Sequence, residues 1–465
     1  MVSLITVCSQ TLKLIGYITG GIEQCNIFLC GYYIKMDAEQ IRYKVGGYNV
    51  NIINAPSNNV YVGAFINNGA MNETHDTAGI NHLLEHIIMN SWSKCKQKSC
   101  FVYWDKRPVN LNGHTNISYV KYFINGLRSE LANMLEYIFE IVTNPNIEAK
   151  MIEDEKKIVM NELYTIINEP FNRMLHKMAN VLYNDENVYN HYDGELQLHN
   201  LKKLTTKDII NYYKTVYIPN NVTFYICGNF NETQIVQLLD TCRGIIHKPH
   251  VNAIKKAISY ENIFSYKQQI IYYKNPAAKN TEFNICIPLS GPPLTYPKQT
   301  RLDIFVRSLQ VSLFDILRTQ QKLVYSITAN VENYPYGSVL VITGYCVDPN
   351  IKLVFREIFS HIMKVKTQVI KLNRLDNEKD KYKMYMNDTK ITPIVLCNFY
   401  ETQNHLNCNR KTKRTYTYND KLSIIGKVNS NNVLEILSDL SLDNAVIGYT
   451  SRHSGNISLP SIMPK

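Results

Sequence analysis

Apolar residues recur at two different spacings along the 465-residue chain, and these spacings predict strands and helices in two successive groups. In the first group, short apolar or alternating runs bounded by turn residues predict strands at Tyr48–Ile53, Val60–Asn67, Phe101–Trp104, Tyr119–Asn125 and Val222–Cys227. Only the turn-rich residues 55–59 separate the first two runs. We therefore expect those two strands to pair as a hairpin.

One predicted helix of the first group carries polar residues among apolar ones. It covers Asn81–Asn90, directly after the apolar Ile80, and Thr77 is a suitable N-cap. His82 and His86 are four residues apart, hence one turn apart on one face, with Glu85 beside them. Zinc would be a natural partner, because neutral imidazoles at this spacing can bind one ion. The alternative is a chance pattern, so the decision depends on a third ligand elsewhere.

A later helix of the same group offers that third ligand. Apolar residues at helical spacing predict a helix over Arg128–Val142, and Pro145 then begins a longer helix that runs to about Asn168. Glu155 and Glu162 lie seven residues apart on the longer helix, hence on one face. Glu162 is the candidate ligand. The alternative is a solvated carboxylate on an acidic helix.

The second group of elements resembles the first in its order. We predict strands and helices at Ile270–Tyr273, Phe283–Ile287, Leu302–Arg318 (helix), Val324–Val331, Ser338–Cys346, Ile351–Val365 (helix), Leu375–Asp388 (helix) and Val446–Tyr449. Strands, helices and a returning strand in both groups predict an α+β fold of two similar domains, each a mostly antiparallel sheet packed by helices.

The chain is long enough for two such domains with sizeable cores. We predict an extension of unknown role at residues 1–44, the domain with the histidine pair at 45–241, a linker at 242–260 and the second domain at 261–465. The linker is assigned because this stretch has few periodic apolar residues.

Composition excludes several classes of protein. A hydrophobic fraction of 45% and a charged fraction of 19% are typical of a globular protein. The formal net charge of +11 would suit nucleic acid, but the basic residues are scattered and no base-stacking motif accompanies them. No apolar run reaches the roughly 18 residues that span a bilayer. We therefore expect neither a nucleic-acid partner nor a membrane span.

The 11 cysteines fit neither a zinc ribbon nor a disulfide scaffold, because they are scattered and no Cys-x-x-Cys occurs. Cys95 and Cys100 are close enough to consider as metal ligands, but no second pair supports this reading. A reducing compartment such as the cytoplasm is the simpler expectation. Residues 1–36 contain no Arg and make a poor signal or mitochondrial transit peptide.

The string His82-Leu83-Leu84-Glu85-His86, followed by Glu155 and Glu162, resembles the inverted zinc-binding pattern of the pitrilysin, insulin-degrading enzyme and mitochondrial processing peptidase family. Both the motif and the 76 positions from His86 to Glu162 match. The resemblance implies that His82, His86 and Glu162 bind one zinc ion per chain. It also implies that Glu85 is the catalytic general base, that Glu155 supports the ligands without itself binding the metal, and that the domains form a clam-like chamber.

The implied chemistry explains the residue types. Three protein ligands leave a fourth position for water, whose pKa zinc lowers towards ~7. Glu85 can take the water's proton during attack on a peptide carbonyl and deliver it to the leaving amine. We therefore predict a zinc metalloendopeptidase that cuts unfolded or extended peptides.

Two further resemblances concern the substrate. Asn112-Gly113-His114-Thr115 resembles an edge strand of the family to which a peptide substrate adds through its main chain, although a polar turn is the alternative. Arg318 and Tyr325, seven residues apart, resemble an Arg and Tyr pair of the second domain that contacts substrate at the zinc site.

The chain also departs from the family pattern. Asn81 stands where a small residue usually precedes the first His, Gly113 replaces Ala, and Met89-Asn90-Ser91-Trp92 replaces Phe-x-Gly-Thr. These departures put the shape of the pocket in doubt. They resemble the poxviral branch of the family, which would make the virion a further location, whereas mitochondria fit less well.

The resemblance also bears on partners and on a competing hypothesis. The length resembles the half-size members, which commonly pair with a second subunit, so we expect a homodimer or a heterodimer with a related subunit. A catalytically silent scaffold or assembly subunit is the competing hypothesis. Such relatives usually lose the metal motif, which is intact here.

Overall fold

The structure is a computed structural model that describes residues 25–29, 32–37, 40–95, 99–246, 263–367, 375–388, 392–407, 414–453 and 457–464. The first domain contains β1 (Cys25–Leu29), β2 (Tyr32–Asp37), β3 (Gln40–Val45), β4 (Tyr48–Asn54), β5 (Asn59–Ile66), α1 (Ile80–Asn90), α2 (Cys100–Trp104), β6 (Val109–Thr115), β7 (Val120–Leu127), α3 (Leu131–Thr143), α4 (Ala149–Asn168), α5 (Pro170–Leu182), α6 (Glu186–Tyr189), α7 (Gly194–Lys203), α8 (Thr206–Val216), β8 (Val222–Gly228) and α9 (Glu232–Ile245).

The second domain follows residues 247–262, which lie outside the described part of the chain. It contains β9 (Gln269–Lys274), β10 (Thr281–Pro288), α10 (Tyr296–Phe314) with a π-helical continuation (Asp315–Gln320), β11 (Val324–Tyr334), β12 (Gly337–Cys346), α11 (Ile351–Lys366), α12 (Leu375–Asp388), α13 (Pro393–Leu406), α14 (Tyr418–Gly426), α15 (Ser430–Leu437), β13 (Val446–Ser451) and α16 (Leu459–Ile462).

The two sheets share one strand order. The first runs β1-β2-β3-β4-β8-β5-β7-β6 and the second β11-β12-β10-β13-β9. The five strands β4-β8-β5-β7-β6 of the first sheet correspond in order to β9-β13-β10-β12-β11 of the second. Counted along the chain within each set of five, both orders are first, fifth, second, fourth and third. In each sheet the first of these strands pairs in parallel with the last, and the remaining neighbours are antiparallel. The prediction of two similar, mostly antiparallel α+β domains is confirmed.

Each sheet exchanges a helix with the other domain. In the first domain, α1 and α3 cover one face of the sheet, whereas α13 of the second domain packs on β5 and β8 from the other face. In return, α5 of the first domain packs on β9 and β13. Gly448 of β13 permits that contact, because a Cβ there would collide with the sulfur of Met178. The domains therefore share buried surfaces.

Buried polar contacts fix α13 on the first sheet. Glu401 is buried and accepts hydrogen bonds from the Tyr61 hydroxyl at 2.6 Å and from Lys121 Nζ at 2.9 Å. On the same helix, His405 Nε2 lies 2.7 Å from the Ser118 hydroxyl. Each buried group has a partner, which avoids most of the cost of removing it from water.

Several predicted elements are corrected by the structure. The expected hairpin is wrong because β8 lies between β4 and β5, where its buried backbone finds partners on both edges. The predicted strand Phe101–Trp104 is helix α2, capped by the Ser99 hydroxyl and stacked through Trp104 on Trp92. The helix expected from Pro145 begins at Ala149.

The predicted domain boundaries also shift. Strands β1, β2 and β3 extend the first sheet, so the boundary at residue 45 lies inside the sheet, and these three strands are part of the first domain. Residues 242–245 belong to α9, which shortens the predicted linker, and the rest of it from residue 247 lies outside the described residues.

Cys95 and Cys100, which were considered as metal ligands, are joined by a disulfide. The free cysteines among the described residues are Cys227, Cys242, Cys286, Cys346 and Cys397. Among the described helices, none has both the length and the apolar character required to cross a bilayer.

Candidate metal centre

Helix α1 is held by its apolar face and by an acid at its start. Ile80, Leu83, Leu84, Ile87 and Ile88 are buried against the first sheet and α3. The helix follows Gly79, whose φ of +94° is in the left-handed region that suits glycine.

The predicted N-cap Thr77 is wrong, because a more distant residue supplies the cap. The buried carboxylate of Glu73 accepts the backbone N–H groups of Gly79 and Asn81, each at 2.8 Å. Burial raises the pKa of Glu73 to about 7, and the two backbone donors oppose that rise. A carboxylate therefore takes the place that a short cap side chain usually has.

Asn81, a departure from the family pattern, is the centre of a buried polar network. Its amide nitrogen donates to the Gly69 carbonyl at 3.0 Å and to the Tyr212 hydroxyl at 3.1 Å. Its amide oxygen accepts from Asn68 Nδ2 at 3.1 Å. This residue therefore ties α1 to the loop after β5 and to α8.

The three predicted ligands come together in the structure. One ligand atom from each of His82, His86 and Glu162 can be chosen so that all lie within 4.8 Å of one another. Glu162 Oε2 lies 3.5 Å from His82 Nε2 and 3.6 Å from His86 Nε2. Helix α4 packs on α1, which brings together residues that are 76 positions apart in sequence. No other such group occurs among the described residues.

Glu155 lies behind His86. Its Oε2 is 3.3 Å from His86 Nδ1, and only 10% of its side chain is exposed. A carboxylate at Nδ1 favours the tautomer with the proton there, which leaves Nε2 free to accept or ligate. The contact agrees with the supporting role predicted for Glu155.

The two imidazoles differ in their electrostatics. Burial lowers the pKa of His82 to about 4, assisted by the charges of His86 and His191. Burial also lowers the pKa of His86, but the hydrogen bond with Glu155 and the charge of Glu162 outweigh it, so the pKa is raised. His82 is therefore neutral near pH 7, the form that binds a metal.

Glu85 lies beside the cluster and against β6. The Thr115 hydroxyl donates to Glu85 Oε2 at 2.5 Å. Burial raises the pKa of Glu85, and the hydrogen bond from Thr115 opposes that effect. A Cβ at Gly113 would lie 2.5 Å from Glu85 Oε1 and would collide with the sulfur of Met89. The two departures Gly113 and Met89 therefore fit each other.

A cavity of about 350 Å³ opens beside the cluster. His82, Glu85 and residues 113–115 form one wall, and α4, α5 and His191 form others. Burial lowers the pKa of His191 to about 4. The cavity walls therefore combine apolar side chains with His82 and His191, two imidazoles that burial keeps neutral near pH 7.

The structure places the predicted substrate-binding residues in different surroundings. Asn112 is exposed on β6, which is the last strand of the first sheet, so the predicted edge strand is confirmed as a strand at an edge. Arg318 and Tyr325 are both exposed and neither lines the cavity beside the histidines. Arg318 instead donates to the Val324 carbonyl at 3.2 Å. The substrate role of this pair therefore stays a prediction.

The residues present fit a zinc ion. Two imidazole nitrogens and one carboxylate oxygen are the donor types that zinc takes in catalytic sites, where three protein ligands leave one position open. One imidazole is already held in position by a carboxylate, as is usual for a ligating histidine.

Comparison with known proteins agrees with this interpretation. A family model described as Insulinase (Peptidase family M16) matches residues 49–193, and one described as Peptidase M16 inactive domain matches residues 203–382. Together they match more than half of the chain. The chain belongs to peptidase family M16. The model for the M16 inactive domain lies largely on the second domain, outside the cluster.

Relatives within M16 are distant. The beta subunit of the mitochondrial-processing peptidase of Neurospora crassa is 22% identical over 191 residues, which is 38% of this chain and 37% of that protein. The chain therefore matches little more than a third of that relative's length. The uncharacterized zinc protease YmxG of Bacillus subtilis is 18% identical over 342 residues, 72% of this chain and 81% of that protein.

Among solved structures, a protease from Helicobacter pylori has a TM-score of 0.78 at 16% identity, covering 89% of this chain and 99% of that chain. At this identity the likeness shows the M16 fold alone.

Sequence reasoning gave no role to several residues around the cluster. The role of Thr115 could have been predicted once β6 was placed beside α1, because residues two apart in a strand share a face and Gly113 contacts Glu85. Glu73 could have been found from two features of the sequence. It is an acid in the loop before α1, and the residue directly before that helix is Gly79, which has no side chain to cap it. His191 had no local signal, since it reaches the cavity only through the packing of the helices.

Proposed function

We propose that this M16 chain is a zinc-dependent endopeptidase that hydrolyses unfolded or extended peptides. The observation that carries the proposal is the juxtaposition of His82, His86 and Glu162 with a half-buried carboxylate, Glu85, at the edge strand β6. Ligand set, candidate base and a place for an extended peptide occur within one region of the first domain.

The chain's own residues would divide the work as follows. When bound, zinc supplies Lewis acidity towards water and the peptide carbonyl. Glu85 takes a proton from the attacking water on Oε1, while the Thr115 hydroxyl holds Oε2. Burial raises the pKa of Glu85, which makes the carboxylate a better base and the carboxyl able to return the proton to the leaving amine.

Strand β6 would hold the substrate. It pairs with β7 on one side and is the end of the first sheet, so its other backbone edge can receive an extended segment. Main-chain pairing recognises extended peptides with little regard to sequence. The cavity beside His82 and Glu85 would then receive a substrate side chain near the cut bond.

Partners and location are part of the proposal. Neither Arg318 nor Tyr325 is among the residues that line the cavity beside the cluster. A homodimer or a heterodimer with a related subunit, enclosing a chamber, would supply a second wall. We expect a reducing compartment such as the cytoplasm, with the virion as the alternative. The Cys95–Cys100 disulfide is the one observation against it.

A catalytically silent scaffold is the competing function, and metal-dependent cleavage distinguishes the two. The purified chain should contain close to one zinc per chain and cleave a library of fluorogenic peptides. A chelator should abolish the cleavage and added zinc should restore it. Stoichiometric zinc without cleavage of any library member would favour the scaffold, and absence of zinc would contradict the metal site.

A further inference from the structure

Asn90, the last residue of α1, connects two parts of the molecule. Its amide oxygen accepts the Cys100 backbone N–H at 2.9 Å and the Ser99 hydroxyl at 3.1 Å. Its amide nitrogen donates to Glu155 Oε1 at 2.9 Å and to the His86 carbonyl at 3.3 Å. Every hydrogen-bonding atom of this side chain is therefore engaged.

These partners permit one orientation of the amide. Because two donors occupy the oxygen, only the nitrogen can face the carboxylate of Glu155. With Oε1 held by Asn90, Oε2 of Glu155 faces His86 Nδ1 at 3.3 Å. The Nε2 atom of His86 then points to Glu162, 3.6 Å away. The amide thus fixes the carboxylate that fixes the candidate ligand.

The Ser99 and Cys100 donors belong to residues 91–107, here called the anchored segment. Residues 96–98 of this segment lie outside the described part of the chain. Trp92 and Trp104 stack with ring centroids 5.5 Å apart, and both contact Tyr137 of α3 edge-on. Ion pairs of 2.6 Å from Lys94 to Glu136 of α3 and 2.7 Å from Arg107 to Glu130, the residue before α3, also hold the segment in place.

The disulfide between Cys95 and Cys100 closes this segment next to the two donors. Trp92, at the start of this segment, belongs to the string Met89-Asn90-Ser91-Trp92 in which the chain departs from the family pattern. Asn90 stands in the same string, at the position that the family pattern leaves variable. The segment and the amide therefore form one local feature of this chain.

We propose that Asn90 is a positioning residue that transmits the anchored segment to the metal centre through Glu155 and thereby sets the affinity of the site for zinc. The inference rests on the proposed function only in that the cluster holds zinc. Its readout is zinc affinity, which does not depend on whether the chain cleaves peptides.

The test compares zinc dissociation constants of the full chain, measured by competition with a chelator at constant pH. Asn90→Asp places a second carboxylate against Glu155, so the two acids repel and His86 loses its support. We expect zinc binding about 10–100-fold weaker, the range typical of changes behind a metal ligand. Asn90→Ser, which removes the amide without adding charge, should weaken zinc binding by a smaller factor.

The double variant Asn90→Asp with Glu155→Gln exchanges the amide and the carboxylate between the two positions. The carboxylate introduced at position 90 would still accept from Ser99 and Cys100, and it would also accept from the new amide, whose oxygen faces His86. Zinc affinity should therefore recover most of the loss seen in Asn90→Asp alone. A merely structural role for Asn90 would not produce recovery from a second change that by itself weakens the site.

Asn146→Asp is the matched control, because Asn146 Nδ2 also donates to a carboxylate, Glu148 Oε1 at 3.0 Å, in an exposed contact that includes none of the residues named above. It should leave zinc affinity unchanged, and circular dichroism of the metal-free variants should match the wild type.

Unchanged zinc affinity in both single variants, or a double variant no better than Asn90→Asp, would overturn the inference alone. A wild type that binds no zinc would overturn the proposed function and this inference with it.

Discussion

The two domains have the same strand order, yet only the first gathers a metal-ligand set. In both, the second strand leads into a long helix packed on the sheet, α1 in one and α10 in the other. Helix α1 presents two histidines and a glutamate, whereas α10 contains neither residue type. Within the described residues, the sole group of suitable ligands is the one around α1.

The helix of the second domain uses its charges differently. Asp303 of α10 is partly buried, and desolvation raises its pKa to about 6 while Lys421 and Arg307 oppose the rise. Lys421 belongs to α14, which packs on α10. The shared strand order therefore places a helix over the sheet in both domains. A few side chains on that helix, and on α4 in the first domain, decide whether a metal site exists.

Removing the third ligand should have the largest effect and make the first domain resemble the second. In Glu162→Gln, an amide replaces the charged oxygen near both histidines. Zinc affinity should fall by more than the ~10–100-fold of a change behind a ligand. Glu153→Gln changes a mostly exposed acid of the same helix and is the control. Equal zinc contents, measured by atomic absorption, would reject Glu162 as a ligand.

The fit between β6 and α1 offers a finer change. In Gly113→Ala the new Cβ would displace the Glu85 carboxylate or the Met89 sulfur. Because misplacing a catalytic group by about 1 Å can cost up to 10²-fold, we expect kcat of peptide cleavage to fall at least ~10-fold with zinc retained. Gly244→Ala, where a Cβ meets nothing within 4 Å, should have wild-type kinetics. Wild-type kcat in Gly113→Ala would contradict this account of Glu85.

The helix exchange predicts a change in stability without a change at the metal. Glu401→Gln leaves Lys121, with 13% of its side chain exposed, without its ion-pair partner. Denaturant unfolding should show a loss of about 3 kcal/mol, while zinc content stays constant because α13 packs on the other face of the sheet. The exposed pair Lys298–Glu435 provides the control, since Glu435→Gln should cost less than about 1 kcal/mol. Similar losses in both would argue against a buried role for Glu401.

The smallest effect concerns the cap of α1. The pKa of Glu73 is raised from 4.5 to about 7 in the folded state, so the folded state binds the proton more tightly between these values. Stability from this group is therefore full at low pH and declines as pH rises to about 7. In metal-free protein, Tm of Glu73→Gln relative to wild type should rise by a few degrees from pH 5 to pH 8. A pH-independent difference would contradict the raised pKa.

Sequence periodicity predicted the repeat because each domain's apolar pattern encodes its own strands. It predicted α12 with its observed limits, Leu375–Asp388. It failed where distant contacts decide: β8 separates β4 from β5, and the apolar run at residues 101–104 is a helix because Trp104 packs on Trp92 and Tyr137. Helices α13, α14 and α15 were not predicted.

At the site, the motif and its spacing identified His82, His86 and Glu162, which the structure brings together. The same reasoning placed Arg318 and Tyr325 at the site by resemblance alone, and the structure leaves them away from the cavity. The roles of Thr115 and Asn90 were not predicted. They depend on which elements pack side by side, and the spacing of apolar residues along the chain carries no information on that.

The most direct test of the central claim is peptide cleavage by the Glu85→Gln variant, with zinc content measured on the same samples. General-base catalysis contributes roughly 10²–10⁴-fold, so the account predicts a kcat/KM lower by about that factor with zinc still stoichiometric. Wild-type cleavage by a zinc-loaded Glu85→Gln variant would contradict the assignment of Glu85 as the base.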